Sequence, residues 1–353
     1  MTSTTISTDP AVVDAEFARI VDELTRRGFL AGGLGAAALL GLAACGSSAG
    51  STDRPAAGPW SFVDDLGHTV NLPARPTRVA VLGDPLGASL WAAGLHVVAS
   101  PMELKDAYSS IGLSTSQIDG IVNIGAADQS YNTEALLEAH PDIIVGNADT
   151  TKIFALNIQP GLAKVAPMVG LNQQTRPFDD IMTSIHRLAA SMGVNPADKD
   201  TEQDYHAQAE ALRTALTAKP GLRAVFCFSI YDDSGLGLEI VDKWPALQTI
   251  AALGMQITPL TGGANDYPQT VSWENVPDIK ADLVVYLGGS GVYSDSTGPL
   301  PTNPTWALMP AVKAGQVVNI GSATGQFTYA NYADIVGKLA DAVNGARTGV
   351  GPH

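Results

Sequence analysis

Short β-branched runs alternate with helix-forming stretches twice along this chain, on either side of one long helical region. That rhythm restricts the fold more than any other feature of the sequence. In the first half the runs are Arg78–Gly83, Leu95–Ala99, Ile121–Gly125, Asp142–Gly146 and Lys164–Gly170, bounded by Gly, Pro and Asn. In the second half they are Ala224–Ile230, Gln256–Leu260, Asp282–Leu287 and Val317–Ile320. Strands alternating with helices build βαβ units and a mostly parallel sheet. Between the halves, Ile181, Ile185, Leu188, Ala189 and Met192 fall on one face at helical spacing. A second helix is expected from about Ala197 to Ala218, ended by Lys219-Pro220-Gly221. It would be roughly 33 Å long, about the diameter of a lobe. The expected fold class is therefore α/β: two lobes with mostly parallel sheets, joined by a single long backbone helix, with a ligand cleft between them. The boundaries are an N-terminal lobe at 60–195, a connecting helix at 196–219 and a C-terminal lobe at 220–353. In open α/β sheets ligands sit beyond the carboxyl ends of the strands, and here both sheets would present those ends to the cleft.

The first 44 residues read as an address rather than as structure. Thr25-Arg26-Arg27-Gly28-Phe29-Leu30 resembles a twin-arginine export signal, with paired arginines ahead of a hydrophobic run. The uncharged segment from Ala31 to Ala44 is shorter than the roughly 20 residues a spanning helix needs, and fits the apolar region of a signal peptide. It ends in Leu42-Ala43-Ala44-Cys45-Gly46, which resembles a bacterial lipobox and makes Cys45 the expected lipid attachment point. The Gly/Ser/Ala/Pro-rich segment that follows, residues 45–59, is expected to be a flexible tether. Gly33-Leu34-Gly35-Ala36-Ala37-Ala38 fits a loose dinucleotide-binding pattern, but it follows no strand and lies in the part to be removed.

Charge and cysteine usage exclude several classes. The net charge of −15 repels nucleic acid, and no Lys/Arg-rich stripe offsets it. Cleavage ahead of Cys45 removes three basic residues (Arg19, Arg26, Arg27) and five acidic ones (Asp9, Asp14, Glu16, Asp22, Glu23), taking the net charge to −13. Two cysteines, Cys45 and Cys227, make neither a disulfide framework nor a zinc site. Cys227 lies in an apolar run and reads as a buried small hydrophobe. The six histidines are scattered away from metal-ligand spacing.

Three segments carry a family resemblance. Phe62 to Pro73 with Arg75 to Leu82 is similar to the entry hairpin and first strand of the class III periplasmic binding proteins of ABC importers. That group takes ferric siderophores, haem and cobalamin. Asn132 to Ile144 resembles its helix followed by Pro-Asp and a buried strand. Asn303-Pro304, Trp306, Leu308 and Pro310 to Val317 resemble a late packing segment. The resemblance covers Trp60 to about Ala342. The resemblance implies an exported, membrane-held lipoprotein, anchored through its lipid alone and monomeric. It would capture an iron(III)–siderophore complex and pass it to an ABC permease. Glu134 and Glu274 match the family's acidic residues, one per lobe, that engage permease arginines. Their plainer reading is as first-turn carboxylates favoured by the helix dipole.

Residues at the strand tips are the candidates for ligand contact. On the first lobe these are Asp84, Tyr108, Tyr131, Asn147, Asp149 and Arg176. On the second they are Tyr231, Asn265, Tyr293, Phe327 and Tyr329. Six of these eleven are aromatic in a chain that is 6% aromatic, which suits a large, flat or apolar ligand. Arg176 would suit a carboxylate or hydroxamate oxygen. No resident cofactor or protein metal site is expected, because the chelate coordinates its own iron. Haem and cobalamin stay open as ligands of the same class. An exported α/β hydrolase needs a G-x-S-x-G elbow, and Gly288-Gly289-Ser290-Gly291 lacks that spacing. A free-metal carrier needs a His-rich cleft, and the predicted cleft loops contain no histidine.

Overall fold

The computed structural model describes residues 58–125, 131–148, 160–173, 176–196, 199–229, 235–258, 269–288, 302–321 and 326–351. The chain enters through an antiparallel hairpin, β1 (Trp60–Val63) and β2 (Thr69–Leu72). The Asp64 carboxylate closes its turn, accepting from the amides of Leu66 (3.0 Å) and His68 (2.8 Å), with Gly67 in the left-handed region. Its other oxygen accepts from the Gly170 amide at 3.0 Å, which ties the hairpin to the first sheet.

That sheet is wholly parallel. It contains β3 (Val79–Val81), β4 (Val97–Ser100), β5 (Val122–Asn123), β6 (Ile143–Asn147) and β7 (Met168–Leu171), in the order β5-β4-β3-β6-β7. Helices α1 (Asp84–Ala92), α2 (Asp106–Ser110), α3 (Thr115–Asp119) and α4 (Thr133–Glu138) are threaded between its first strands. Asn132 caps α4 by accepting from the Ala135 amide at 3.0 Å, and Pro141 follows just beyond it. The strand expected from Lys164 begins only at Met168. Pro160–Lys164 forms a 3₁₀ turn instead, in which proline at the first position suits a helical start.

The second sheet departs further from expectation. It holds β8 (Arg223–Ser229), β9 (Gly235–Leu238), β10 (Gln256–Ile257), β11 (Gln269–Ser272), β12 (Leu283–Tyr286) and β13 (Val317–Asn319). The order is β11-β9-β8-β12-β13, with β10 beside the start of β8. β8, β10, β12 and β13 are parallel, as expected. β9 runs antiparallel to β8, and β11 antiparallel to β9, and neither was expected. β9 reads Gly-Leu-Gly-Leu, a pattern of low strand propensity. Its glycines are required by close approach: a Cβ on Gly235 would collide with the Val271 carbonyl, and one on Gly237 with the Phe228 ring.

Residue alternation along the strands covers both faces of each sheet. Val79 and Val81 of β3, Ala224 and Phe226 of β8, and Leu283 and Val285 of β12 all enter one apolar core shared by the two lobes. Ala80 faces a smaller core in the first lobe, while Val225, Cys227, Val284 and Tyr286 face another in the second. The joint between the lobes is correspondingly broad. α5 (Phe178–Ser191) and the long α6 (Lys199–Thr217) lie between the sheets, and α9 (Tyr329–Gly345) packs along α6. Phe178 stacks on Tyr332 with centroids 3.8 Å apart and meets Tyr205 and Tyr329 edge-on. The Phe178 amide donates to Thr249 Oγ1 (2.8 Å) in α7 (Pro245–Ala252) of the second lobe. The remaining helix, α8 (Pro310–Lys313), precedes β13. Of the described helices, none is long and apolar enough to cross a membrane.

Candidate ligand cleft

Segments beyond the carboxyl ends of the two sheets meet across the lobes. The segment that follows β13 crosses to helices that follow β3 and β4. The Phe327 amide donates to Ser89 Oγ of α1 at 2.9 Å. Gln326 Nε2 donates to the Ala107 carbonyl of α2 (2.9 Å), and its Oε1 accepts from Ser110 Oγ (3.0 Å). These contacts tie the carboxyl end of the second sheet to the first lobe.

Several residues expected on the walls of the cleft are built into the fold instead. Asp84 is buried at the start of α1 and accepts from Ser100 Oγ, the Met102 amide (2.9 Å) and the Leu104 amide (2.8 Å). Its carboxylate thereby holds Met102 in the left-handed region, at φ 60°. Tyr108 is 0% exposed and donates its hydroxyl to Ser100 Oγ at 2.8 Å, with room left by Gly87, where a Cβ would collide with the hydroxyl. Burial raises the Tyr108 pKa, so the phenol stays protonated. Tyr108–Ser100–Asp84 is a buried strut, and Tyr108 lines no surface. Phe327 and Tyr329 are likewise buried in the aromatic joint, where the Tyr329 hydroxyl lies 3.3 Å from Glu202 Oε1. Arg176 is paired with Asp65, which also binds Arg187 at 2.8 Å, and it donates to the Asn172 carbonyl at 2.8 Å. Its guanidinium holds the β7 exit against the hairpin. For these residues, position at a strand tip was the signal, and burial of the side chain, or for Arg176 its pairing with Asp65, overrode it.

Tyr131 and Asn147 stand at the carboxyl edge of the first sheet, both largely buried. Tyr131 donates to the Leu82 carbonyl at 2.9 Å, and Asn147 Oδ1 accepts from the Gln173 amide at 3.2 Å. Asp149, Tyr231, Asn265 and Tyr293 lie outside the described residues, as does Cys45. Glu134 and Glu274 are both exposed, in the first turns of α4 and of the 3₁₀ helix Trp273–Asp278.

The structure brings to this edge residues that strand-tip reasoning passed over. Ser229 Oγ and the Tyr286 hydroxyl are 2.9 Å apart where β8 and β12 end, and burial raises the Tyr286 pKa. Tyr286 had been absorbed into an apolar strand, although its place as the last strand residue was a usable signal. Gln173, two residues beyond β7, is 7% exposed, and among the described residues its Nε2 has no hydrogen-bond partner. Cys227 is buried, and desolvation raises its pKa, as befits a packing residue. Among the described residues no group of three His, Cys, Asp or Glu is placed to hold a metal ion.

Comparison with known proteins agrees with this architecture. The chain is similar to YhfQ of Bacillus subtilis, named as an ABC transporter substrate-binding lipoprotein, at 24% identity over 80% of this chain and 86% of that one. It is 25% identical to YfiY of the same organism, named as a siderophore-binding lipoprotein, over 71% of this chain and 76% of the relative. Among solved structures, DesE, a ferric-siderophore receptor protein from Streptomyces coelicolor, matches with a TM-score of 0.69 and 25% identity. The match covers 82% of this chain and 99% of DesE. Residues 93–324 match the periplasmic binding protein family, and the chain belongs to that family.

Proposed function

We propose that this chain is an extracytoplasmic lipoprotein that captures an iron(III)–siderophore complex in the interlobe cleft and delivers it to an ABC importer. The similarity to DesE over nearly the whole of that receptor carries this reading. Cys45 would bear the lipid, and residues 45–59 would tether the folded unit to the membrane. The iron is cargo, held by the siderophore's own oxygens. The cleft's task is recognition and release, with no bond made or broken. Tyr131 and Asn147, at the edge of the first sheet, are the described members of the proposed contact set. Asp149, Tyr231, Asn265 and Tyr293 belong to it by their sequence position alone. Exposed carboxylates on the two lobes, Glu134 and Glu274, support docking of the loaded protein onto permease arginines.

The test is a tryptophan-fluorescence titration of the purified protein with ferric siderophores, haem and cobalamin. At least one ferric siderophore is expected to quench saturably at micromolar concentration or below. Saturation by haem or cobalamin alone would transfer the reading to that ligand.

A further inference from the structure

The parallel register of the second sheet gathers charge at its amino end, away from the cleft. β8, β10 and β12 all start there. Gln256 pairs with Arg223 in register and Leu283 with Ala224, so Lys280 and Asp282 arrive beside Arg223. Arg223 and Ser229, at the cleft edge, are opposite ends of β8, about 20 Å apart. The segment after α9, residues 346–351, packs against this amino end. Gln316 holds it, accepting from the Arg347 amide (2.8 Å) and donating to the Arg347 carbonyl (3.0 Å). Asp282 Oδ1 accepts from the amides of Val350 (2.7 Å) and Gly351 (3.3 Å). A Cβ on Gly351 would collide with the Ala281 carbonyl, so glycine lets the segment lie this close. The result is a solvent-open cavity of about 160 Å³ whose lining includes Arg223, Gln256, Lys280 and Asp282.

That lining carries two cations and one carboxylate, and the carboxylate is already engaged. Asp282 is 6% exposed, and its second oxygen accepts from the Arg223 amide at 3.2 Å, so three backbone N–H groups satisfy it. Arg223 and Lys280 are exposed, and among the described residues neither side chain has a hydrogen-bond or ion-pair partner. Lys219, whose ammonium donates to the Ala346 carbonyl at 2.8 Å, adds a third positive charge at this end. Asp and Glu outnumber Lys and Arg 35 to 20 along the chain, and Arg176, Arg187 and Arg213 each meet a carboxylate. Two cations lining one cavity without a carboxylate of their own depart from that pattern.

We propose that this cavity is a second ligand site, separate from the cleft, for an oxyanion of the phosphate class. Arg223 presents two parallel N–H donors, Lys280 a point charge and Gln256 Nε2 a neutral donor. Coming from three separate segments, they suit a tetrahedral anion with oxygens on several sides, whereas a planar carboxylate is satisfied by the guanidinium alone. A divalent cation needs free carboxylate oxygens, and Asp282 has none to give. Free phosphate and the phosphodiester of an anionic lipid headgroup share this chemistry.

The experiment is calorimetric titration of the purified full chain with inorganic phosphate and with acetate at low ionic strength. Phosphate is expected to bind saturably, acetate about tenfold or more weaker, and added salt should weaken the phosphate. Arg223→Gln with Lys280→Gln should lower phosphate affinity about tenfold or more without lowering the melting temperature, both side chains being exposed. Arg223→Lys, which keeps the charge and loses the fork, should weaken phosphate by less, and carries the test if the double variant fails to fold. Lys338→Gln removes a cation already paired with Asp334 and should change nothing. Sedimentation of the Cys45→Ala protein with phosphatidylglycerol vesicles, against phosphatidylcholine vesicles, separates the two sources. Vesicle binding that the double variant abolishes assigns the site to a lipid headgroup, and phosphate binding without vesicle binding assigns it to the free anion. Binding of neither, acetate binding as tight as phosphate, or phosphate affinity unchanged in the Arg223 and Lys280 variants overturns the site.

Discussion

Asp84 shows how a residue placed at a strand tip for one reason serves another. One carboxylate gathers a hydroxyl and two amides, from Ser100, Met102 and Leu104, and so fixes the turn after β4. Asp84→Asn turns one of those acceptor oxygens into a donor that faces donors. It should cost about 2–3 kcal/mol, since buried groups are left unmatched. Urea denaturation of the purified variant measures this, and a change below about 0.5 kcal/mol would show that the turn holds without the carboxylate. Cys45 belongs to the same scale, with a different outcome. Cys45→Ala should leave the fold alone and shift the protein from the membrane fraction to the soluble one. A variant that stays with the membrane after a high-salt wash would disprove the lipid anchor.

Among the elements, β9 is the most demanding of its sequence. Gly235 lies against backbone, the Val271 carbonyl, while Gly237 lies against the Phe228 ring, a side chain able to turn aside. Gly235→Ala should therefore destabilise more than Gly237→Ala, with the latter costing about 1–3 kcal/mol as an overpacked contact. Equilibrium unfolding of the two variants side by side gives the order. The reverse order would mean that Phe228 is held more rigidly than the β9–β11 pairing. The same two glycines explain why this strand was not legible beforehand. Alternating Gly and Leu has neither β-branching nor the boundaries that mark a strand, and its place in the sheet depends on neighbours far along the chain.

On the scale of the whole molecule, one apolar core and a layer of aromatic rings join the lobes, where a single helix was expected. α5, α6 and α9 share the joint, and Phe327 and Gln326 fasten the carboxyl end of the second sheet to α1 and α2. Close-packed cores resist continuous deformation. Small-angle scattering with and without saturating ligand should show a radius of gyration unchanged within about 1 Å, well short of the > 2 Å rearrangements seen when domains move on binding. A fall of several ångströms would mean that these contacts open. Docking is also a property of the whole molecule, because it needs one carboxylate on each lobe at a fixed separation. Glu134→Ala with Glu274→Ala should leave ligand affinity within about twofold, as exposed side chains outside the cleft contribute little. Transport in reconstituted vesicles should collapse. Unchanged transport would remove these residues from the docking surface, and lost affinity would place them in the binding site or the fold.

Local pattern determined the elements whose information is itself local. Short β-branched runs placed β3, β4, β6, β8 and β12 within a residue or two of where they fold, helical spacing placed α5, and the Pro/Gly boundaries placed α6. The resemblance of Phe62 to Pro73 marked the entry hairpin, and the lipobox and the acidic balance required no folding to be read. What the sequence could not decide was direction and depth. Whether Tyr108 and Phe327 face a ligand or the interior depends on which elements lie above them. Arg176 is engaged only because Asp65, from a hairpin more than a hundred residues earlier, arrives beside it. Gln173 looked like any polar residue after a strand until packing removed it from water and left its donor without a partner among the described residues. Propensity acts over a few residues, whereas burial and charge pairing are set by the whole chain in space, so the tertiary structure alone decided the character of the cleft.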